Sequence, residues 1–537
     1  MKRRISPAIF ILMVAGAAAI WKVLLLALDC FPFNADEAVV GLMARHILSG
    51  ERPIFFYGQA YMGSLDAFLV AGGFALFGQQ VWVIRAVQSL LYLGTIITTI
   101  WIGKRLFSSW RTGLLAGVLL AFPTVNVMLY TTASLGGYGE ALLIGNLLLI
   151  AGLRIADDKP AVSFPAMWAV FGILAGLGLW ANGLTLIYSV PVAFLLVWSI
   201  VRECKETGQY RGWLRWAIAL LGFFLGSLPW WLYAFQRGWQ ALVLELLGSA
   251  VAVEGGSYLE KVISHAINFV ILGGTVTLGF RPPWGVSWLG LPLIPFVLIF
   301  WCLGGFIFLR RLRRVSELRP GGALLAGMII CLASGFIFTS FGIDPSGRYF
   351  VPLAVPMALV AADAIQQVNL RRRWQYLIVG GLILFHVWGT LQCALQNPPG
   401  ITTQFSQVTQ IDTRYQKELI MFLQSQGETC GYSNYWVAYP TAFLSGEDII
   451  LAPRLPYHQD LRYTARDDRY APYGEQVSAS SRVAYVTTHN PVLDERLKSG
   501  FVQNGVTWKE NRIGDYQIYY QLSRPVRPTD LKIDEVR

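Results

Sequence analysis

The sequence predicts a polytopic α-helical membrane protein with about eleven transmembrane helices, followed by a small C-terminal α/β domain. Three observations carry that expectation. Only 14% of the 537 residues are charged and 55% are hydrophobic, against about 25% charged in a typical soluble domain. Apolar runs long enough to cross a bilayer recur as far as residue 395. Basic clusters fall between those runs on one predicted side, as the positive-inside rule requires.

A span needs about 20 mostly apolar residues. Such runs lie at 6–28, 82–103, 112–130, 138–153, 165–180, 183–200, 213–233, 289–309, 321–342, 349–367 and 374–395, those at 138–153 and 165–180 being short. The N-terminus is basic and then apolar from Ile5 to Leu28, which resembles a signal peptide. It is longer than an ordinary apolar core, and Asp29 stands where a lipobox needs a small residue. It therefore reads as an uncleaved first span.

The net charge of +11 raises the question of a nucleic-acid partner. From residue 396 onward, however, 15 Lys and Arg face 16 Asp and Glu, so the excess lies wholly among the apolar runs. With the N-terminus inside, the inner segments carry 20 basic residues: Lys2, Arg3, Arg4, Lys104, Arg105, Arg111, Arg154, Lys159, Arg202, Lys205, Arg211, Arg215, Arg310, Arg311, Arg313, Arg314, Arg319 and Arg371 to Arg373. The outer segments carry six: Arg45, Arg52, Arg237, Lys261, Arg281 and Arg348. The expected partner is thus the bilayer of the cell (plasma) membrane, with a cytoplasmic N-terminus, an extracytoplasmic C-terminal domain and no nucleic acid.

Two outer loops are long. In the first, 29–81, "ADEAVVGLMARHILSG" repeats Val39, Val40, Met43 and Ile47 at helical spacing, as an interfacial helix does. "AYMGSLDAFLVAGGFALFG" reads as a second such helix. The other loop, 234–288, contains "RPPW" at Arg281, which breaks regular structure. The C-terminal domain, 396–537, has strand-like alternation in "RVAYVTTH" and "DYQIYYQLS". Its "RYQKELIMFLQSQG" reads as a helix closed by Gly427. Six cysteines form no CxxC pair and no metal spacing, and nothing supports a Cys30–Cys430 disulfide.

Two readings stand for the adjacent acids Asp36 and Glu37. In one, they are first-turn acids favoured by the helix dipole. In the other, one is a general base and its neighbour positions it, since ionisable groups at a membrane edge are functional by default. Glu140, in "SLGGYGEALLIGN", is a helix-start acid or a second acid of the same outer site. Arg348 and Tyr349, in "SGRYFVPLAVP", anchor a span at head-group level or bind a lipid phosphate, for which guanidinium is suited. Arg85 has the same two readings, and Lys22, Lys261 and Arg281 have them with less weight. Arg45 and His46 read as a solvated helix face. Tyr432, Tyr435, Trp436 and Tyr439 either pack a core or stack on sugar rings. No Walker loop, HExxH, GxSxG, DxD or nucleotide-sugar-binding unit is present. A group transferred outside the membrane would have to arrive on a donor other than a nucleotide.

"NADEAVVGLMARHILSG", "YMGSLDAFLVAGGFALFG" and "VWVIRAVQSLLYLGTIITTIWIGKRLF", in that order, resemble the start of the GT-C superfamily glycosyltransferases. The nearest branch is the RgtA/B/C/D-like, protein-mannosyltransferase-like group, which uses polyprenyl-phosphate sugars. "SGRYFVPLAVP" is similar to that group's late Arg-Tyr span. The likeness covers residues 1–395, departing at "YMGSLD", where many relatives have a Lys-Pro-Pro-like stretch. It implies a GT-C transmembrane catalytic domain that moves a monosaccharide from a polyprenyl-phosphate donor to a glycan, lipid or protein hydroxyl by an inverting displacement. It assigns Asp36 as the catalytic acid, with Glu37 completing the motif and Glu140 as a second acid. Arg348, Tyr349, Arg85, Arg281 and Lys261 become candidate ligands of the donor phosphate. No dedicated metal site is visible, and the resemblance leaves a divalent metal open. A transporter or flippase of lipid-linked saccharides, or a polymerase or ligase acting on them, is the competing expectation.

Overall fold

The computed structural model describes residues 6–157, 164–208, 210–246, 256–313, 320–344, 346–368, 370–458, 460–531 and 533. Of the basic residues named above, Lys2, Arg3, Arg4, Lys159, Arg314 and Arg319 lie outside them.

The chain opens with α1 (Pro7–Ala27), α2 (Ala35–Leu48), the hairpin β1 (Phe55–Phe56) and β2 (Gln59–Gly63), and α3 (Leu65–Phe77). Next come α4 (Val81–Phe107), α5 (Trp110–Ala121), α6 (Val125–Tyr130), α7 (Tyr138–Asp157), α8 (Pro165–Ala181) and α9 (Leu186–Thr207). The series continues with α10 (Arg211–Gly226), α11 (Leu228–Arg237), α12 (Trp239–Leu246), α13 (Tyr258–Asn268), α14 (Gly274–Thr277), α15 (Ile294–Arg313), α16 (Pro320–Phe338), α17 (Ala354–Gln367) and α18 (Arg372–Leu395).

Among the described residues, nine helices are long and apolar enough to cross a membrane, or ten if the pair α10 and α11 is one span bent by 61°. Every expected apolar run is helical, but not every one is a straight span. Pro123 separates α5 from α6, because proline has no N–H to donate and its ring clashes with the preceding turn. Pro229 sits at the bend of the α10–α11 pair. The stretch Tyr258–Thr277, expected within an outer loop, is itself one of the nine apolar helices. Its Ser257–Glu260 capping box starts the helix at a polar end that hides the apolar run behind it.

The chain folds into two compact units. The helical unit comprises Met1–Leu28, Tyr61–Asp66 and Arg85–Cys393. Small residues draw its helices together, as is usual where hydrocarbon supplies no apolar driving force. A Cβ added at Gly172 of α8 would meet the Ala219 carbonyl of α10 at 1.9 Å, and one at Gly226 would meet the Ile173 carbonyl at 2.2 Å.

The mixed unit comprises Asp29–Ala60, Ala67–Ile84 and Ala394–Arg537. It contains a five-stranded sheet of β3 (Cys430–Tyr432), β4 (Ile450–Ala452), β5 (Ala484–Thr488), β6 (Lys509–Ile513) and β7 (Tyr516–Tyr520) in the order β4-β3-β5-β7-β6. The first three strands are parallel, with Gly431 opposite Ala484. The hairpin β6–β7 completes the sheet in antiparallel register, with Tyr485 opposite Tyr519. Helices α19 (Gln416–Ser425), α20 (Tyr435–Leu444), α21 (Ala471–Ala479) and α22 (Pro491–Gln503) accompany it. Leu419, Leu423, Val437, Val486 and Ile518 form the core. Both expected strands and the helix ending before Gly427 are present, and all six cysteines are free. Helix α2 packs on α20. Phe443 lies so close that a Cβ on Gly41 would sit 2.6 Å from its ring.

Candidate functional site

The helical unit forms a partly open cavity of about 1290 Å³. Leu186, Val190, Phe194, Trp198 and Arg202 line one side of it. These residues are four apart, so they form one stripe of α9 about 24 Å long. Ala323, Gly327, Ile330 and Ser334 of α16 line another side. At one end stand Tyr61, Met62, Tyr138, Asn182, Phe341 and Tyr349. The lining is overwhelmingly apolar, with polar groups only towards its ends.

Arg348 adjoins that tyrosine-rich end. Its guanidinium pairs with Asp344 and lies 4.9 Å over the Tyr349 ring. Arg348 Nε and the Tyr349 hydroxyl are buried with no hydrogen-bond partner among the described residues, as is Ser346 Oγ. Such atoms are rarely left unsatisfied unless a ligand or water meets them.

Three other predicted cations are placed differently. Arg281 is buried and spends its guanidinium on Thr275 Oγ1 and the carbonyls of Leu272, Pro282 and Gly285, which closes its own loop. Arg85 is buried on α4, one turn before Gln88. Lys261 is half-buried on α13. Lys22, also buried, donates to Thr131 O at 2.6 Å and Thr132 Oγ1 at 2.6 Å. Those bonds account for a lysine in the middle of an apolar helix.

Glu140, in the first turn of α7, does not stand alone. Its carboxyl meets that of Asp66, and Gln88 Nε2 bridges them at 2.8 Å to Asp66 and 3.4 Å to Glu140. Asp66 also accepts from the Ser134 hydroxyl and from Gly137 N–H at 3.3 Å. Two carboxyls buried side by side in this way form one coupled unit, tied together by the glutamine amide between them. Asp66 was not singled out from the sequence. Its signal is only an acid one residue into a helix, which normally reads as a dipole effect.

Asp36 and Glu37 belong to the mixed unit. The capping reading is answered by Asn34, whose Oδ1 accepts from Glu37 N–H at 3.0 Å. Glu37 is fully buried, whereas Asp36 is half-buried and accepts a hydrogen bond from the Tyr435 hydroxyl at 2.5 Å. Asp467 is a nearby acid that sequence reading missed. Burial, with Asp36 adding to it and Arg469 opposing, raises its carboxyl to about 7. Arg45 and His46 are not a solvated face, for both pair with Glu447, at 3.2 and 2.9 Å. Among the described residues no three His, Cys, Asp or Glu side chains converge as a metal site.

These helices, with a small α/β region at the C-terminal end, make up the GT-C fold that the sequence resembles. In particular the chain is similar to ArnT from Cupriavidus metallidurans bound to undecaprenyl phosphate, with a TM-score of 0.59 at 12% identity over 95% of this chain and 97% of that one. The apo state of the same ArnT gives a TM-score of 0.54 at 12% identity, over 94% and 98%. No protein-family model matches the sequence.

Proposed function

We propose that the chain is an integral-membrane glycosyltransferase that moves a monosaccharide from a polyprenyl-phosphate donor to a hydroxyl of a glycan, lipid or protein on the extracytoplasmic face. The observation that carries this reading is the elongated apolar cavity of about 1290 Å³. Its α9 stripe approaches the thickness of a bilayer's hydrocarbon core, and such a lining suits a prenyl chain. The orphaned polar atoms of Arg348, Tyr349 and Ser346 are suited to a phosphate. The fold it shares with ArnT agrees with this assignment.

Asp36 has the role of base. A free hydroxyl does not ionise near neutral pH, so the carboxylate removes its proton as the acceptor oxygen bonds to the anomeric carbon. The bond from that carbon to the phosphate oxygen breaks, and its electron pair leaves with polyprenyl phosphate. A guanidinium such as that of Arg348 is the kind of group suited to the charge that develops there. Attack opposite the leaving group inverts the anomeric centre. Glu140 is committed to its contact with Asp66, which in turn holds the turn at Gly137. Arg281, committed to carbonyls, shapes its loop, while Arg85 and Lys261 remain secondary candidates for the phosphate.

Purified protein given a synthetic polyprenyl-phosphate monosaccharide and a panel of hydroxyl acceptors is expected to release polyprenyl phosphate, measured by mass spectrometry. Asp36→Asn is expected to lower the rate at least about a hundredfold without changing the unfolding midpoint. Turnover that survives Asp36→Asn rules out its role as base.

A further inference from the structure

The C-terminal segment carries tyrosines that either pack a core or act at a site, and one of them does more than pack. Tyr435 is the first residue of α20, directly after its cap Asn434. Asn434 Oδ1 accepts from the N–H groups of Trp436 and Val437, at 3.0 and 3.2 Å. Its Nδ2 donates to Thr488 Oγ1 at 3.0 Å, at the end of β5. The start of α20, and with it the phenol's direction, is therefore tied to the sheet.

The ring is clamped as well. Arg469 lies 5.3 Å over it, and Trp436 and Tyr439 meet it edge-on at 5.2 and 5.3 Å. Arg469 is itself held when the Gln59 amide turns its oxygen toward the guanidinium, at 2.6 and 2.7 Å. Beneath it lies Gly58, where a Cβ would come within 2.9 Å of Arg469 Cδ. From this fixed ring the hydroxyl donates to Asp36 Oδ1 at 2.5 Å. Asn34 caps α2, so Asp36 is not needed for the cap.

We propose that Tyr435 is a positioning residue for Asp36: its phenol occupies one carboxylate oxygen and fixes the direction in which the other meets an acceptor hydroxyl. This rests on the reading of Asp36 as base. The gain is orientation, since misplacement of a reacting group by about 1 Å costs as much as a hundredfold in rate. The C-terminal segment then serves the chemistry.

The test uses the full chain in nanodiscs and has two arms. In the first, 3-fluorotyrosine is placed at 435 and followed by fluorine NMR. The Tyr435 phenol is held well above its ordinary range by burial and then by the Asp36 charge. Asp36→Asn is therefore expected to move the fluorine signal and to lower the pH at which the phenol ionises. In the second arm, release of farnesyl phosphate from a synthetic farnesyl-phosphate hexose is measured. Tyr435→Phe is expected to lower kcat about tenfold, with donor KM within about twofold and the unfolding midpoint unchanged. A fluorine signal indifferent to Asp36→Asn overturns the proposal. So does a wild-type kcat in Tyr435→Phe where Asp36→Asn is inactive, and that result leaves Asp36 as base. A wild-type protein that releases no farnesyl phosphate overturns the catalytic reading on which the role depends.

Discussion

Asp36 of α2 and Glu140 of α7 are both acids in the first turn of a helix, and they meet opposite surroundings. Asp36 is half-buried in the mixed unit and accepts a hydrogen bond from a phenol. Glu140 is buried in the helical unit, against a second carboxyl and a bridging glutamine. The contrast teaches that position on the helix does not assign the chemistry of an acid. A carboxylate with one neutral donor still has an oxygen to take a proton. A carboxyl facing another carboxyl is committed to that contact, and its neighbours depend on the arrangement for their own hydrogen bonds.

The largest stability effect should come from breaking the buried pair. Asp66→Ala leaves the Ser134 hydroxyl, the Gly137 N–H and the Gln88 amide short of an acceptor, at a cost of about 3 kcal/mol. A thermal melt in detergent should show a clear fall for Asp66→Ala and a much smaller one for Asp36→Ala. Equal falls would erase the distinction between the two acids.

A second, smaller effect concerns the other end of α2. Burial would raise the Glu447 carboxyl, but hydrogen bonds from His46, Tyr473 and Arg45 outweigh it and hold it at about 2. Because that value lies below the unfolded one, the ionised group stabilises the fold fully above about pH 4.5, and the contribution is lost as pH falls through about 2. Glu447→Gln should therefore destabilise by about 2 kcal/mol at pH 7, allowing for partial solvent screening. The gap between mutant and wild type should narrow below pH 4.5 in pH-dependent melts.

The smallest effect is expected for Glu140→Gln, an uncharged replacement of nearly the same shape that can still hydrogen-bond to Asp66. Turnover should stay within about threefold of wild type and stability within about 1 kcal/mol. A loss of turnover as deep as that of Asp36→Asn would make Glu140 a second acid of the reaction after all.

Much of the helical architecture was legible because a bilayer imposes one rule on every span. Each expected apolar run proved helical, and Pro123 and Pro229, where helices break or bend, were visible as letters. The apolar helix Tyr258–Thr277 was missed since Glu260, Lys261 and His265 make its first half read as a surface segment. For the proposed site, the sequence singled out Asp36 through the order of motifs in the first loop, and Arg348 through its place before an apolar run. Asp66, Tyr435 and Asp467 were not. Asp36 and Tyr435 stand 399 positions apart, and no local periodicity links residues at such separation.

The sequence by itself determined which segments are apolar, where the basic clusters fall and which acids stand at helix starts, because solvation and capping act within a few residues. Only the tertiary structure decided that Asn34 caps α2, that Arg281 is consumed by backbone carbonyls, and that Glu140 meets a second carboxyl while Asp36 faces a phenol. Those outcomes depend on which distant groups are brought within about 3 Å, the range at which hydrogen bonds form.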